Sequence, residues 1–163
     1  MILVAATANC TETSQLDQSK LFPPLKDING TNGITIACCL QYPVSRGSVH
    51  IRSADPTAQP AIDPGYFRHE ADMSQLIVGM RFLDKLSQTE PLKSKLGKRL
   101  HPRPELDMSK AEDARQGILD WYMSEYHLCG SVATGDALDS RLKVKGVKGL
   151  RVADASTFAG NGE

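Results

Sequence analysis

The chain has 163 residues, which is enough for one domain with a buried core but too few for two complete catalytic domains. Its 19 Lys and Arg balance its 19 Asp and Glu, and this balance argues against a nucleic-acid-binding protein, which needs a basic face. The most apolar runs, Met1–Ala8 and Ile34–Leu40, are far shorter than the roughly 20 residues of a membrane-spanning helix. We therefore expect a cytoplasmic protein without nucleic-acid or membrane partners.

The N-terminal part of the chain is predicted to form strands. Met1–Ala8 is interpreted as a strand and not as a secretory signal, because no basic residue precedes the apolar run. Residues 9–33 are polar and rich in turn-forming pairs, which indicates a long surface excursion. Ile34–Tyr42 and Ser48–Arg52 are dense in β-forming residues on either side of a turn at Ser45–Gly47, and this pattern predicts a hairpin.

A first helix is predicted near Asp72, after a proline-rich connector. Residues 53–64 hold three prolines and cannot be helical for any length. Asp72 and Gln75 have the spacing of a capping box, and apolar residues then recur at helical intervals up to Pro91. The apolar stripe of this helix is predicted to consist of Met73, Leu76, Ile77, Met80 and Leu83.

A second helix is predicted to start at Ser109, whose spacing to Glu112 forms another capping box. Its buried stripe is predicted to consist of Ile118, Leu119 and Tyr122. Between the two helices Lys93–Arg99 is basic, which is typical of a solvated helix face.

The C-terminal part begins with a loop and continues with a second predicted hairpin. Residues 126–135 are rich in Gly, Ser and Thr and are entered by an aromatic residue and a histidine. Residues 141–145 and 150–153 are β-formers separated by a glycine-bounded turn. Because strands and helices are grouped along the chain, the pattern favours an α+β fold with an antiparallel sheet packed against helices.

The domain organisation and the cysteines allow two further predictions. Residues 1–33 are predicted to form an N-terminal strand and a polar excursion, and residues 34–163 to belong to one compact domain. The four cysteines show no metal-ligand spacing, so we expect reduced packing cysteines and no metal site.

Three stretches of this sequence resemble one protein family. Residues 45–56 and 62–67 are similar to the substrate-domain signature of the glucose-methanol-choline (GMC) flavoprotein oxidoreductases. Tyr126 and His127, followed by the block at residues 139–156, resemble the C-terminal signature of the same family. The order and the spacing of all three stretches match. The resemblance implies the α+β substrate domain of that family.

The resemblance also implies roles for single residues. The family's histidine at the position of His127 faces the flavin ring and acts as base or hydrogen-bonding partner for the substrate hydroxyl, a role that suits imidazole. Asp154–Ser156 corresponds to a segment against the flavin's phosphate and ribityl groups. A second histidine or asparagine normally follows, and Asn161 could imitate it.

The dinucleotide fingerprint of the family, GxGxxG after a first strand, does not occur in these 163 residues. We therefore expect a truncated member that holds no cofactor, with FAD present only if a partner chain supplies the flavin domain. The uncovered substrate face is expected to bind a small molecule or to form a homodimer.

Three functional hypotheses follow from the resemblance. In the first, a stand-alone, flavin-free protein promotes a non-redox step such as isomerisation, dehydration or cyclisation in a biosynthetic pathway. Its general acid/base is His127, and Tyr126, Ser131 and Asn161 orient the substrate by hydrogen bonds. In the second, the chain is half of a split FAD-dependent alcohol oxidase or dehydrogenase acting on CH–OH groups. In the third, it is a non-catalytic binding module.

Overall fold

The computed structural model describes residues 2–7, 33–124 and 127–159. The strands of this part are β1 (Ile2–Thr7), β2 (Gly33–Cys38), β3 (Ser48–His50) and β4 (Ala61–Asp63), and the α-helices are α1 (Glu70–Ser87) and α2 (Ala111–Trp121). Short 3₁₀ helices lie at Lys93–Lys95 and Ala155–Thr157. The combination of antiparallel strands and helices confirms the predicted α+β class. No helix in the described ranges is long and apolar enough to cross a membrane.

The strands form two separate antiparallel pairs. β1 pairs with β2, with Ile2 opposite Cys38, and β3 pairs with β4, with Ser48 opposite Asp63. The predicted hairpin between residues 34–42 and 48–52 is therefore wrong, and part of the predicted connector is a strand. In the segment between β2 and β3, the backbone N–H groups of Val44 and Ser45 bind a side chain from α1, and each of the two strands has its partner elsewhere in the chain.

The chain divides into two compact units. The unit that we call the helical unit comprises Met1–Leu40 and Met73–Met123, and the loop unit comprises Gln41–Asp72 and Ser124–Glu163. The buried apolar side chains of the helical unit are Met73, Leu83, Met108, Ala114 and Ile118. In the loop unit Leu138 is fully buried. The prediction of one compact domain over residues 34–163 stays a prediction.

Helix α1 begins two residues before the predicted capping box. His69 precedes the helix, and its Nδ1 accepts a hydrogen bond of 3.2 Å from the N–H of Ala71 in the first turn. The Oγ of Ser45 in turn accepts the N–H of His69 over 2.9 Å. An imidazole therefore does the capping that the sequence assigned to Asp72. The predicted apolar stripe is confirmed, with Met73 and Leu83 buried.

The Asp72 carboxylate binds the loop before β3. Its two oxygens accept the N–H of Val44 over 2.7 Å and the N–H of Ser45 over 2.9 Å, and the residue is only 2% exposed. Burial raises the pKa of this carboxyl, but the hydrogen bonds from Ser45 and Val44 outweigh that effect and hold the pKa below its ordinary value. The ionised carboxylate is thus the form that fixes the loop.

We expect Asp72→Ala to lower the free energy of unfolding by about 1 to 2 kcal/mol, because two part-buried hydrogen bonds to a charged acceptor are lost. Urea unfolding at neutral pH measures this change. The contribution is complete above a pH of about 4 and is lost as the pH falls further, since the folded-state pKa is lowered. Asp136→Ala, at an exposed turn position, serves as control and should change little. Equal stability of the two variants would contradict the proposed anchor.

Helix α2 begins at Ala111 and not at the predicted Ser109. Lys110 occupies the N-cap position without a side-chain cap, while the Ser109 hydroxyl donates to an oxygen of Asp107 over 2.7 Å. The capping-box prediction is therefore wrong at this helix too. The predicted stripe is right only for Ile118, whereas Leu119 is 42% exposed and Tyr122 47% exposed.

His101 in the helical unit has a buried ring nitrogen without a partner among the described residues. Its ring lies edge-on to Trp121 at a centroid distance of 4.1 Å, and its Nε2 makes no hydrogen bond. Burial lowers the pKa of His101, Asp120 opposes this shift, and Arg103 and Arg99 add to it. The folded protein therefore favours the neutral imidazole.

Stability should decline as the pH falls below neutrality because of His101. The unfolded chain takes up a proton near a pH of about 6.5, whereas the folded chain needs a lower pH, so acid favours unfolding. His101→Gln should flatten this dependence. Urea unfolding at about pH 7.5 and about pH 5.5, on either side of the ordinary histidine value, measures it for both proteins. Parallel pH profiles would exclude His101 as the cause.

Two glycines allow a close crossing of backbone in the loop unit. A Cβ at Gly47 would lie 2.3 Å from the carbonyl oxygen of Asp63, and one at Gly65 would lie 2.4 Å from that of Arg46. Gly65 also has a φ of 64°, which favours glycine. The signature stretches at residues 45–56 and 62–67 thus meet in direct backbone contact.

Candidate functional site

The loop of residues 127–135, which we call the histidine loop, is fixed by backbone hydrogen bonds to residues 155–157. The N–H of Val132 donates to the C=O of Ser156, and the N–H of Thr134 donates to the C=O of Thr157, each over 2.9 Å. A longer bond of 3.4 Å joins the N–H of Gly130 to the C=O of Ala155. Every second residue from 130 to 134 is therefore fixed.

The far end of the histidine loop is fixed by other contacts. The Thr134 hydroxyl donates over 3.0 Å to the C=O of Thr157, and the backbone N–H of Thr134 donates to the same oxygen. The N–H of Gly135 donates to the C=O of Leu138 over 2.9 Å, and the Lys145 ammonium group donates to the C=O of Gly135. The fully buried Leu138 thus anchors this end in the core of the loop unit.

The segment that receives the histidine loop is shaped by Asp154. Its carboxylate accepts the N–H of Ser156 over 2.8 Å and also the hydroxyl of that residue. These bonds lower the pKa of Asp154, the side-chain bond from Ser156 most strongly. The Thr157 hydroxyl donates to the C=O of Asp154 over 2.8 Å. An ionised Asp154 therefore stabilises the 3₁₀ turn at Ala155–Thr157.

A hairpin leads into this turn. The N–H of Val144 donates to the C=O of Leu150 over 3.1 Å, and the N–H of Val152 donates to the C=O of Leu142 over 3.2 Å. Lys143 bridges Arg151 in the antiparallel sense. The structure thus confirms the second predicted hairpin, although its pairing consists of isolated bridges instead of full strands.

Two of the four predicted site residues lie in the described part of the structure. His127 and Ser131 lie on the histidine loop and are exposed. Tyr126 and Asn161 fall outside the described residues. The functional roles of all four stay predictions. No group of His, Cys, Asp and Glu side chains in the described ranges could hold a metal ion.

Two residues of this region, Phe158 and Thr157, were not predicted from the sequence. Phe158 follows the 3₁₀ turn and is 51% exposed, and its carbonyl oxygen lies 3.4 Å from where a Cβ at Gly130 would be. Thr157 is 7% exposed and accepts both bonds from Thr134. The Asp154 to Ser156 spacing, which is typical of an Asx turn, is the signal that predicts a fixed turn here.

Comparisons with known proteins identify the family. The family model described as GMC oxidoreductase matches residues 43–163, and the chain therefore belongs to the GMC oxidoreductase family. The match is to the C-terminal part of that family. The sequence resemblance is thereby confirmed.

Individual relatives agree with this assignment. Over 117 residues the chain is 42% identical to the dehydrogenase mpl7 of Monascus purpureus, covering 72% of this chain and 19% of that protein. It is 36% identical over 128 residues to the ecdysone oxidase of Spodoptera littoralis, covering 77% of this chain and 21% of that protein. The chain thus spans about a fifth of the length of these relatives.

A solved structure shows the same fold. A fungal aryl-alcohol oxidase superimposes with a TM-score of 0.62 at 28% identity, covering 74% of this chain and 20% of that one. This similarity is consistent with the α+β substrate domain predicted from the signature stretches.

Proposed function

We propose that this chain forms the substrate-facing part of a flavin-dependent GMC oxidoreductase, in which His127 is the general base for oxidation of an alcohol to a carbonyl compound. One observation carries the proposal. The histidine loop is fixed to residues 155–157 by successive backbone hydrogen bonds while the His127 side chain stays exposed. A catalytic base needs such a rigid support and an accessible ring.

The names of the relatives support a redox reaction over the flavin-free hypothesis. The similar proteins include a dehydrogenase, an ecdysone oxidase and an aryl-alcohol oxidase. Each of these names denotes an oxidoreductase. A non-redox isomerisation, dehydration or cyclisation would use the same His127 as acid/base, and experiment can separate the two reactions.

The described residues fit one side of an FAD group. Ala153 and Ala155 are exposed beside the 3₁₀ turn, and Gly130 carries no side chain, so a cofactor could approach the backbone closely. The bonds from Asp154 to Ser156 keep the turn in one shape. We assign residues 154–156 to the phosphate and ribityl side of the cofactor, as the family resemblance implies. The phosphate-binding fingerprint is not among these 163 residues.

Bound FAD supplies the acceptor for the hydride that leaves the carbon of the alcohol. An imidazole nitrogen of His127 accepts the hydroxyl proton of the substrate, so that the oxygen becomes a carbonyl oxygen. The Ser131 hydroxyl, exposed on the same loop, donates a hydrogen bond that orients this oxygen. The backbone bonds at Val132 and Thr134 keep the loop from moving during the proton transfer.

The visible absorption spectrum of the protein, isolated under native conditions with whatever chain accompanies it, tests the proposal. We expect the bands of oxidised flavin, and we expect them to bleach when an alcohol substrate is added without oxygen. A colourless protein that still converts its substrate would overturn the proposal in favour of the non-redox hypothesis. Flavin bands that no alcohol bleaches would overturn the assignment of the reaction.

A further inference from the structure

Exposed apolar side chains lie on the histidine loop and on the segment bonded to it. Leu128, the next residue in the histidine loop, is 68% exposed. Phe158 is 51% exposed, and its backbone approaches the loop at Gly130. Exposed apolar side chains that lie beside a polar reacting group favour a ligand with an apolar body.

The two segments supply no charged side chain of their own, and the charged groups bound to them, Asp154 and Lys145, are held by Ser156 and by the C=O of Gly135. Residues 127–135 and 155–159 contain no Asp, Glu, Lys or Arg. A carboxylate or ammonium group that is desolvated against these segments finds no opposite charge in them, and this weakens its binding. The two segments therefore disfavour a charged substrate.

Most hydroxyl groups of these segments already donate hydrogen bonds within the protein. Thr134 donates to the C=O of Thr157, Ser156 donates to Asp154, and Thr157 donates to the C=O of Asp154. In these segments, His127 and Ser131 are the polar side chains that we expect to be available to a substrate, since both are exposed on the histidine loop. Two such groups can serve one hydroxyl, whereas a sugar would bring several hydroxyls that need partners.

From these observations, and resting on the proposed function, we infer that the substrate is an uncharged alcohol with an apolar body and one reacting hydroxyl. The hydroxyl is held by His127 and Ser131, and the apolar body lies on Leu128 and Phe158. Sugars and hydroxy acids are poor substrates on this account.

A cationic hairpin in the same unit favours the competing expectation that the substrate is an anion. Its exposed basic side chains are Arg141, Lys143, Lys145, Lys148 and Arg151. They would attract an anionic substrate over a distance, but salt screens such attraction beyond about 8 Å. Lys145 is moreover bound to the C=O of Gly135, at the opposite end of the loop from His127. Contact with the apolar side chains, and not long-range attraction, should therefore decide the affinity.

Ligand-observed NMR with the full protein tests this inference through binding alone. The probes are benzyl alcohol, n-hexanol, glucose and para-hydroxymethylbenzoate, which is benzyl alcohol with an added carboxylate. We expect both neutral alcohols to bind and the carboxylate analogue to bind at least about tenfold more weakly, since its charge has no partner. Glucose should show no saturation transfer. Equal binding of glucose or of the carboxylate analogue would overturn the inference.

Two variants and a matched control locate the binding surface. Leu128→Asp and Phe158→Ser should each raise the dissociation constant for benzyl alcohol about tenfold, because each removes apolar contact area. Val147→Asp is the control, since Val147 is 51% exposed at the hairpin turn. An unchanged constant in the first two variants, or an equal loss in the control, would overturn the inference.

The outcome is independent of the redox reaction. A protein that binds neutral alcohols with this profile but forms no carbonyl product would contradict the proposed function and leave this inference intact. A flavin protein that oxidises sugars would support the proposed function and contradict this inference.

Discussion

His127→Ala is expected to lower the turnover of the alcohol substrate by about 10²- to 10⁴-fold, which is the usual contribution of a general base. The variant removes the imidazole that we propose as the acceptor of the hydroxyl proton, and it should leave the supporting backbone bonds of the histidine loop in place. Because the side chain is exposed, its loss should not disturb packing. Steady-state kinetics of substrate oxidation measure the effect.

His50→Ala is the matched control for this prediction. His50 is also exposed, and it lies at the end of β3. We expect its replacement to leave both the turnover and the unfolding transition unchanged. If His127→Ala kept full turnover, or if both variants lost activity equally, His127 would not be the base.

Gly47→Ala is expected to lower the free energy of unfolding by about 3 kcal/mol. The added methyl group would lie 2.3 Å from the carbonyl oxygen of Asp63 and 2.6 Å from that of Pro64, and neither backbone atom can move without displacing β4. Urea unfolding followed by circular dichroism measures the change. A variant that yields no soluble protein would also agree with the prediction, because it would be too unstable to fold.

Gly97→Ala provides the comparison for this second prediction. A Cβ at Gly97 would meet nothing within 4 Å, and the residue does not need a positive φ. We expect this variant to be as stable as the parent or slightly more stable, because alanine restricts the unfolded chain. If the two alanine variants were equally stable, the close crossing at Gly47 would not exist.

The sequence predicted elements best where a single helix face determines the pattern. The stripe from Met73 to Leu83 repeats at helical spacing and identified α1, because burial of that face selects the residues. The helix starts were less accurate. Asp72 and Ser109 both fit a capping box, but Asp72 binds a distant loop and Ser109 binds Asp107. Local spacing cannot reveal such long-range partners.

The sequence pattern also did not predict which strands pair with each other. The predicted strands at residues 34–42 and 48–52 are right only as far as Cys38 and His50, and β2 pairs with β1 while β3 pairs with β4. The pairing depends on contacts between segments that are far apart in the chain. The glycines at positions 47 and 65 are informative only when the crossing backbone is known.

The candidate site was predicted in part. The family resemblance assigned His127 and Asp154–Ser156 separately to parts of the flavin, and the structure shows that the loop of His127 is bonded to residues 155–157. Phe158 was not anticipated, because nothing in its local sequence indicates that it stays exposed. The sequence does not show which hydroxyl groups hydrogen-bond within the protein, because their partners, mostly backbone carbonyls, become known only from the structure.

The oxidation level of the product tests the central claim most directly. Mass spectrometry of the product formed from benzyl alcohol or another neutral alcohol shows whether hydrogen has been removed. We predict a product that is lighter than the substrate by two hydrogen atoms, formed together with flavin reduction. A product of unchanged mass or one water molecule lighter, formed without flavin, would contradict the assignment of this chain to alcohol oxidation.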